Sequence, residues 1–336
     1  MAKLTTITQS ELTKIPFIDS KNIGGRVLTT LTFFEEGEWK MWFPSPTGLI
    51  RMKGEPSEAD YFARMPEKDT DIYLDFLNFM TQRACWADAM QFIDGIRNDI
   101  HNLGASLAKL DLFHRSSGDK RIEARRFAAT EIEYIFGVCR SLFDLLQKVI
   151  ATLWQRIVLL DKSIKKRQLP ESFGRMVLHD EKLMTAEAIR AQFRVPTELA
   201  AFYYRHGPFF QVLRQYRDNV VHSGEDFNSI FVTEKGFAVF AGVEPFASFG
   251  VWTEEHMLTN RLASLRPIVA HVITKTLSAC EDFAQTIQKI IQFPPEIAPG
   301  FKLFIRGYHN HQLLAMKEVL TNCLWWEAKQ DAAGNA

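Results

Sequence analysis

The sequence predicts a mainly α protein, an antiparallel helical bundle with small β-hairpin attachments near the N-terminus and after one long helix. Three observations lead there. Apolar residues recur at steps of three and four through several long stretches. The connections between those stretches are short. Strand-like alternation is confined to two regions, near 25–53 and 229–252. The implied division is a β-rich segment over residues 1–60 and a helical bundle over 61–336, with a hairpin insertion at about 228–252.

The elements follow in chain order. Val27 to Phe34 is β-branched and aromatic, Glu35 to Glu38 makes a turn, and Trp39, Met41 and Phe43 alternate with polar neighbours. Gly48 to Met52 adds a third strand, and 54–70 is a polar connector. Ile93, Ile96, Ile100, Leu103, Leu107 and Leu110 form one stripe. Beyond the loop 114–121, Ile132, Ile135, Cys139, Phe143, Leu146, Ile150, Leu153 and Ile157 form the next, running towards the cations Lys162, Lys165, Lys166 and Arg167. Residues 168–183 are irregular, and helices are expected over 185–193 and 196–221. A hairpin pairs 229–233 with 237–241 around Glu-Lys-Gly. Leu262 through Ile290 carries a last long stripe, stopped by Pro294-Pro295, and Leu313, Met316, Leu320 and Leu324 mark a C-terminal helix.

The 40 Lys and Arg balance 40 Asp and Glu, so any contact with nucleic acid has to be local. Cys85, Cys139, Cys280 and Cys323 are far apart, which fits neither a disulfide framework nor a zinc site; they read as small buried hydrophobes. The N-terminal stretch lacks the apolar core of a signal peptide, and no apolar run suffices for a membrane span. A cytoplasmic protein is expected.

Much chemistry is absent from the pattern. There is neither a Gly-rich phosphate loop nor a G-x-S-x-G elbow. His309 and His311 are the one close histidine pair and read as a surface loop. Glu131 and Glu133 read as ordinary helix surface, the basic run from Arg115 to Arg126 as a solvated loop and helix start, and Trp325-Trp326 as core. No metal and no cofactor are expected.

One stretch stands apart. RQYRDNVVHSG ends a largely apolar helix with Arg217, Asp218, Asn219 and His222, before Gly224. Arginine forks onto phosphate, and histidine moves protons near neutral pH. Cleaving RNA without metal needs a base, an acid and a cation. Arg217 and His222 are about 140° apart around an α-helix, so one helix presents half a site and a second copy supplies the rest. The same spacing at Arg266 and His271 has Pro267 after the arginine, and Arg97 to His101 is one residue too short.

This pattern resembles the HEPN superfamily, whose motif is an arginine, four to six residues and a histidine, with a polar residue after the arginine; here these are Arg217, Asp218 and His222. The resemblance implies a helical bundle, a dimer with facing motifs, and a metal-independent endoribonuclease of a toxin or phage-defence kind, with a protein antitoxin or regulator as a further partner. His222 is then base or acid, Arg217 the phosphate contact, and Asp218 or Asn219 the orienting or ribose-binding group. One toxin group of the superfamily places a tyrosine two residues after the histidine, where this chain has Gly224. Two other readings remain: a non-catalytic HEPN-like module binding RNA, a nucleotide or a protein, and a helical interaction protein with no nucleic-acid role.

Overall fold

The computed structural model describes residues 9–119, 122–222, 230–244 and 246–319, with backbone alone at 9, 217–222 and 317–319. Along the chain come α1 (Gln9–Leu12), β1 (Thr32–Glu35), β2 (Glu38–Ser45), β3 (Gly48–Met52), β4 (Ala59–Ala63), β5 (Ile72–Tyr73) and α2 (Asp75–Phe79). The long helices α3 (Ala87–Arg115) and α4 (Ala124–Leu153) follow, then β6 (Val158–Leu159), α5 (Phe173–Val177), β7 (Leu178–His179), β8 (Lys182–Leu183), α6 (Ala186–Phe193) and α7 (Thr197–His222). The last elements are β9 (Phe231–Thr233), β10 (Gly236–Phe240), β11 (Leu262–Ser264), α8 (Arg266–Ile290), β12 (Ile291–Gln292), β13 (Lys302–Arg306) and α9 (Asn310–Val319). The chain divides into two compact units. One comprises Met1–Asn98, Asp144–Arg205 and Cys280–Asn310; the other comprises Asp99–Phe143, His206–Ala279 and His311–Ala336.

The first unit is built on a six-stranded sheet in the order β3-β2-β1-β4-β13-β5. β1 and β4 are parallel and every other neighbouring pair is antiparallel. The β1–β2 turn places Glu36 and Gly37 at positive φ (53° and 77°), the geometry whose twist matches a tight hairpin. On one face the rings of Phe33 and Phe62 lie 5.3 Å apart, and Phe33 also meets Phe17 and Phe301. On the other, Tyr61 and Phe304 are buried beside Trp39, Phe34 and Tyr73.

Arg306, the last residue of β13, crosses that second face. Its guanidinium lies 4.6 Å over the Trp39 ring and donates to Asp71 at 2.7 and 3.1 Å, to Glu55 at 3.1 Å and to Glu67. The Tyr61 hydroxyl donates to Asp71 at 2.6 Å. Burial pushes the Asp71 carboxyl up, but hydrogen bonds from Arg306, Tyr61 and the Lys68 amide outweigh it and hold Asp71 below the usual carboxylate range. A second brace lies around the π-helical turn Met80–Ala84. Gln82 donates to the Phe301 carbonyl at 2.8 Å and accepts from the Ala298 amide at 3.0 Å, while Asn78 accepts from the Leu303 amide at 2.9 Å. The buried Arg26 donates to the carbonyls of Gln82 and Pro295.

In the second unit α3 and α4 run antiparallel, because Asp99 meets Ser141, Lys109 pairs with Glu131 at 3.1 Å, and Phe113 packs on Phe127. α7 runs antiparallel to α4, with Phe210 against Phe143 and Tyr216 against Phe136. β9, β10 and β11 form a three-stranded antiparallel sheet, tied to the end of α3 through His114 Nε2 and the Thr233 carbonyl at 2.8 Å.

The expectation of a mainly α bundle with hairpin attachments is overturned: the fold is mixed α/β. The N-terminal strands are not an attachment but half of a sheet completed by β4, β5 and β13. β4 falls in the stretch 54–70 expected to be a polar connector, and the 237–241 hairpin gains a third strand, β11, from residues expected in a helix. β4 and β13 are five residues each, too short to show a period, and their pairing joins residues more than 200 positions apart. The long stripes do form helices; Ile93, Ile96, Ile100, Leu103, Leu107 and Leu110 of α3 are all buried. The second ends at Leu153, short of Ile157, and Lys166 donates to the carbonyls of Trp154, Gln155 and Ile157 beyond it. Among the described residues no helix is long and apolar enough to cross a membrane.

Replacing Arg306 with Met should cost about 3–5 kcal/mol in denaturant unfolding, because Asp71 would stay buried without its cation. The linkage has a sign. Asp71 is depressed from 3.8, so its contribution is present above that value and lost as pH falls through the lower folded value. The stability gap between wild type and Asp71→Asn should therefore be constant at neutral pH and close below about pH 4.

Candidate functional site

α7 carries the Arg217–His222 motif. Pro196 precedes the helix and Glu198 sits in its first turn, where a fixed φ and a negative charge favour a helix start. Pro208 removes one donor inside the helix. In the second unit Phe210, Leu213 and Tyr216 are buried at steps of three, the face turned to the core. Tyr216 stacks on Phe136 of α4 with centroids 3.9 Å apart and planes 21° from parallel, and Phe246 closes on both rings. This stack fixes the residue immediately before Arg217.

From there the backbone stays helical through His222. Arg217, Asp218, Asn219 and His222 thus occupy the last turns of α7, where the dipole is negative. Helical geometry brings Asp218 and His222, four apart, onto one side and leaves Arg217 about 140° from His222. The side chains of these four, and the Ser223-Gly224 end expected to stop the helix, lie outside the described residues.

Two acids of α4 were missed in the sequence. Glu131, read as surface, is only 8 % exposed and pairs with Lys109. It lies one turn before the core residue Ile135, and that flanking position was the available signal. Glu133 is half-buried and its charge reaches the Tyr216 hydroxyl, whose pKa is raised first by burial and then by that carboxylate. Further along α4, Ser141 donates to Asp99, whose carboxyl is pushed up by burial against that hydrogen bond.

The rival spacings have structural roles. Arg97 is paired with Asp60 at 2.8 Å and Asp94 at 3.0 Å and donates to Thr29. Arg266 opens α8 with its amide on Ser264 Oγ. His271 packs against Phe209 and Phe249, and burial, then Lys275, lowers its pKa. His309 and His311 are exposed, and among the described residues no three His, Cys, Asp or Glu side chains converge as a metal site. Cys85, Cys139 and Cys280 are buried, and burial pushes the Cys85 and Cys139 thiols up to about 12; Cys323 and Trp325-Trp326 lie outside the described residues. In the first unit, Glu55, Lys68, Asp71, Arg306 and Tyr308 line a shallow cleft of about 360 Å³ with both signs of charge.

No protein-family model, no curated protein and no solved structure matches this chain. The resemblance to the HEPN superfamily rests on the Arg217–His222 pattern and its helix.

Phe136→Ala should cost about 3–5 kcal/mol in denaturant unfolding, because it opens a cavity against a fully buried ring. A loss under 1 kcal/mol would mean that Tyr216 is held by something else.

Proposed function

We propose that this chain is a HEPN-like, metal-independent endoribonuclease that acts in the cytoplasm as a homodimer, in a toxin or phage-defence role. The observation that supports this best is the helical backbone of α7 running without a break through Arg217, Asp218, Asn219 and His222, directly after the Phe136–Tyr216 stack. A helix end anchored in the core is a rigid platform for an acid–base group.

The chemistry is transesterification. The RNA 2′-oxygen attacks the adjacent phosphorus, forming a P–O2′ bond as the P–O5′ bond breaks. One His222 takes the 2′-hydroxyl proton, and the His222 of a second copy protonates the departing 5′-oxygen. Arg217 binds the phosphate and the charge that grows in the transition state. Asp218 or Asn219 orients this site or binds ribose. Because Arg217 and His222 diverge around the helix, each copy offers part of the constellation. A protein antitoxin or regulator is a further partner of this reading. The second reading, a non-catalytic module that binds RNA, a nucleotide or a protein, is favoured by the equal numbers of acidic and basic residues.

The purified protein should cleave RNA in EDTA and leave 2′,3′-cyclic phosphate ends. His222→Ala and Arg217→Ala should each lower the rate by about 10²–10⁴-fold and cost roughly 1 kcal/mol or less of stability. Mixing the two variants should give activity that dilution does not predict, because hybrid dimers redistribute intact groups. Strict dependence on added Mg²⁺, or binding of RNA without cleavage, would overturn the enzyme reading.

A further inference from the structure

The four cations at 162–167 divide into two kinds. Lys166 donates to the carbonyls of Trp154, Gln155 and Ile157, and Arg167 donates to the Gln192 carbonyl at 3.2 Å. These two pin the loop after β6 to the end of α4 and to α6. Lys162 and Lys165 are exposed, and their side chains make no hydrogen bond or ion pair among the described residues. A structural role accounts for half of the cluster and leaves the other half without one.

This loop borders a cleft of about 290 Å³ in the first unit, where it meets Arg190 of α6, Pro196 and Thr197 at the start of α7, and Lys289 near the end of α8. The walls are held by backbone bonds. The Leu160 amide donates to the Ile290 carbonyl at 2.9 Å, β6 pairs with β12, and the Thr185 hydroxyl caps α6. Arg190 and Lys289 are exposed, and neither side chain makes a hydrogen bond or ion pair among the described residues. Asp161, also on the wall, is held below the usual carboxylate range first by the Ser163 hydroxyl and amide, at 2.6 and 2.9 Å, and last by the charge of Arg190. Its carboxylate is thus engaged within its own loop and forms no ion pair with the arginine. The other cleft of this unit differs, because there Arg306 and Lys68 are paired with Glu55, Glu67 and Asp71.

Charge and shape define what fits. The lining residues and their immediate chain neighbours carry Arg190, Lys289, Lys162 and Lys165 against Asp161 and Glu198. Four minus two leaves an excess of two positive charges, in a chain whose net charge is zero. A phosphomonoester carries about −1.5 to −2 near pH 7, which matches that excess better than the single charge of a carboxylate. Arginine forks onto phosphate oxygens, lysine adds an ammonium, and the Thr197 hydroxyl is a further donor. Part of the wall is apolar. Leu160 is 58 % exposed beside Ile164 and Pro196, so a ligand with an apolar body is favoured by covering it. Ligand clefts run to roughly 300–1,000 Å³, and this one lies at the small end, so it takes one small molecule and not a nucleic-acid strand.

We propose that this cleft binds a small phosphomonoester with an apolar body, of the size of a nucleoside monophosphate. Arg190 and Lys289 hold the phosphate, Leu160 and Ile164 lie under the body, and Asp161 and Glu198 accept from its amino or hydroxyl groups. The site uses neither Arg217 nor His222, so it stands or falls apart from the ribonuclease reading.

Calorimetric titration of the full chain with adenosine monophosphate tests the site. Binding should saturate at one molecule per chain, inorganic phosphate should compete, and adenosine should bind about tenfold more weakly or worse. Arg190→Ala and Lys289→Ala should each weaken the monophosphate by about tenfold, through one lost charge-assisted contact. Lys53→Ala removes an exposed cation outside the cleft and should change nothing. Leu160→Ser should weaken the monophosphate several-fold. All four positions are exposed, so circular dichroism should stay that of wild type. The proposal is overturned by any of four results: no saturation at millimolar monophosphate, adenosine binding as tightly as the monophosphate, Arg190→Ala and Lys289→Ala no weaker than Lys53→Ala, or Leu160→Ser binding like wild type. A short RNA that displaces the monophosphate and binds more tightly would overturn it too, by making the cleft part of a nucleic-acid surface.

Discussion

The guanidinium of Arg306 holds β13 in the six-stranded sheet, and the first unit is organised around that ion. A charge this deeply placed costs several kcal/mol unless it is fully satisfied. Asp71, Glu67 and Glu55 supply carboxylates, and Trp39 and Tyr61 supply ring faces. Asp71 in turn engages the Tyr61 hydroxyl and the Lys68 amide, so the chain over 55–71 is wrapped against the sheet. Arg306 and Asp71 are 235 positions apart in the chain. One cation therefore brings the N-terminal strands and a late segment into one sheet, and Gln82 and Asn78 clamp the stretch leading into β13 from below.

A different constraint governs the second unit. Its helices are joined by aromatic contacts, among them the Phe136–Tyr216 stack with centroids 3.9 Å apart. Since Arg217 follows Tyr216 directly, the packing of one buried ring determines where the motif begins. Glu133 stands at the same level of α4, half-buried, and its charge raises the pKa of the Tyr216 hydroxyl beyond what burial does. Core packing and site chemistry thus meet within one turn of helix. α4 is shared in the same way: its inner face packs the core, while Phe127 and Tyr134 lie half-covered against Phe113 and Lys109 of α3.

The helices were legible because their signal is local and repeated. Six apolar residues of α3 fall at steps of three and four, and each is buried. Thr185 was legible as the start of α6, and its hydroxyl does accept from the Ala188 amide at 3.2 Å. The β1–β2–β3 hairpins were legible from alternation and turns, with Gly37 at positive φ where the chain reverses. Arg217, Asp218, Asn219 and His222 were legible as a polar cluster ending an apolar helix, and α7 runs through them. Glu131 and Glu133 were not, because an acid on a helix flank looks the same in sequence whether a neighbour covers it or water does.

By itself the sequence determined that the long apolar stripes are helices, where the first hairpins turn, and that one helix ends in an arginine, two polar residues and a histidine. Those properties depend on neighbours three or four positions away, so the local pattern suffices. The tertiary structure decided that the fold is mixed α/β. KLFIR at 302–306 is too short to declare itself a strand, and it becomes one only between β4 and β5, where its backbone groups find partners and Arg306 finds its acids. It also decided which acids are buried and which aromatic residues of α4 stay on the surface. Both depend on what folds back against a helix from far along the chain.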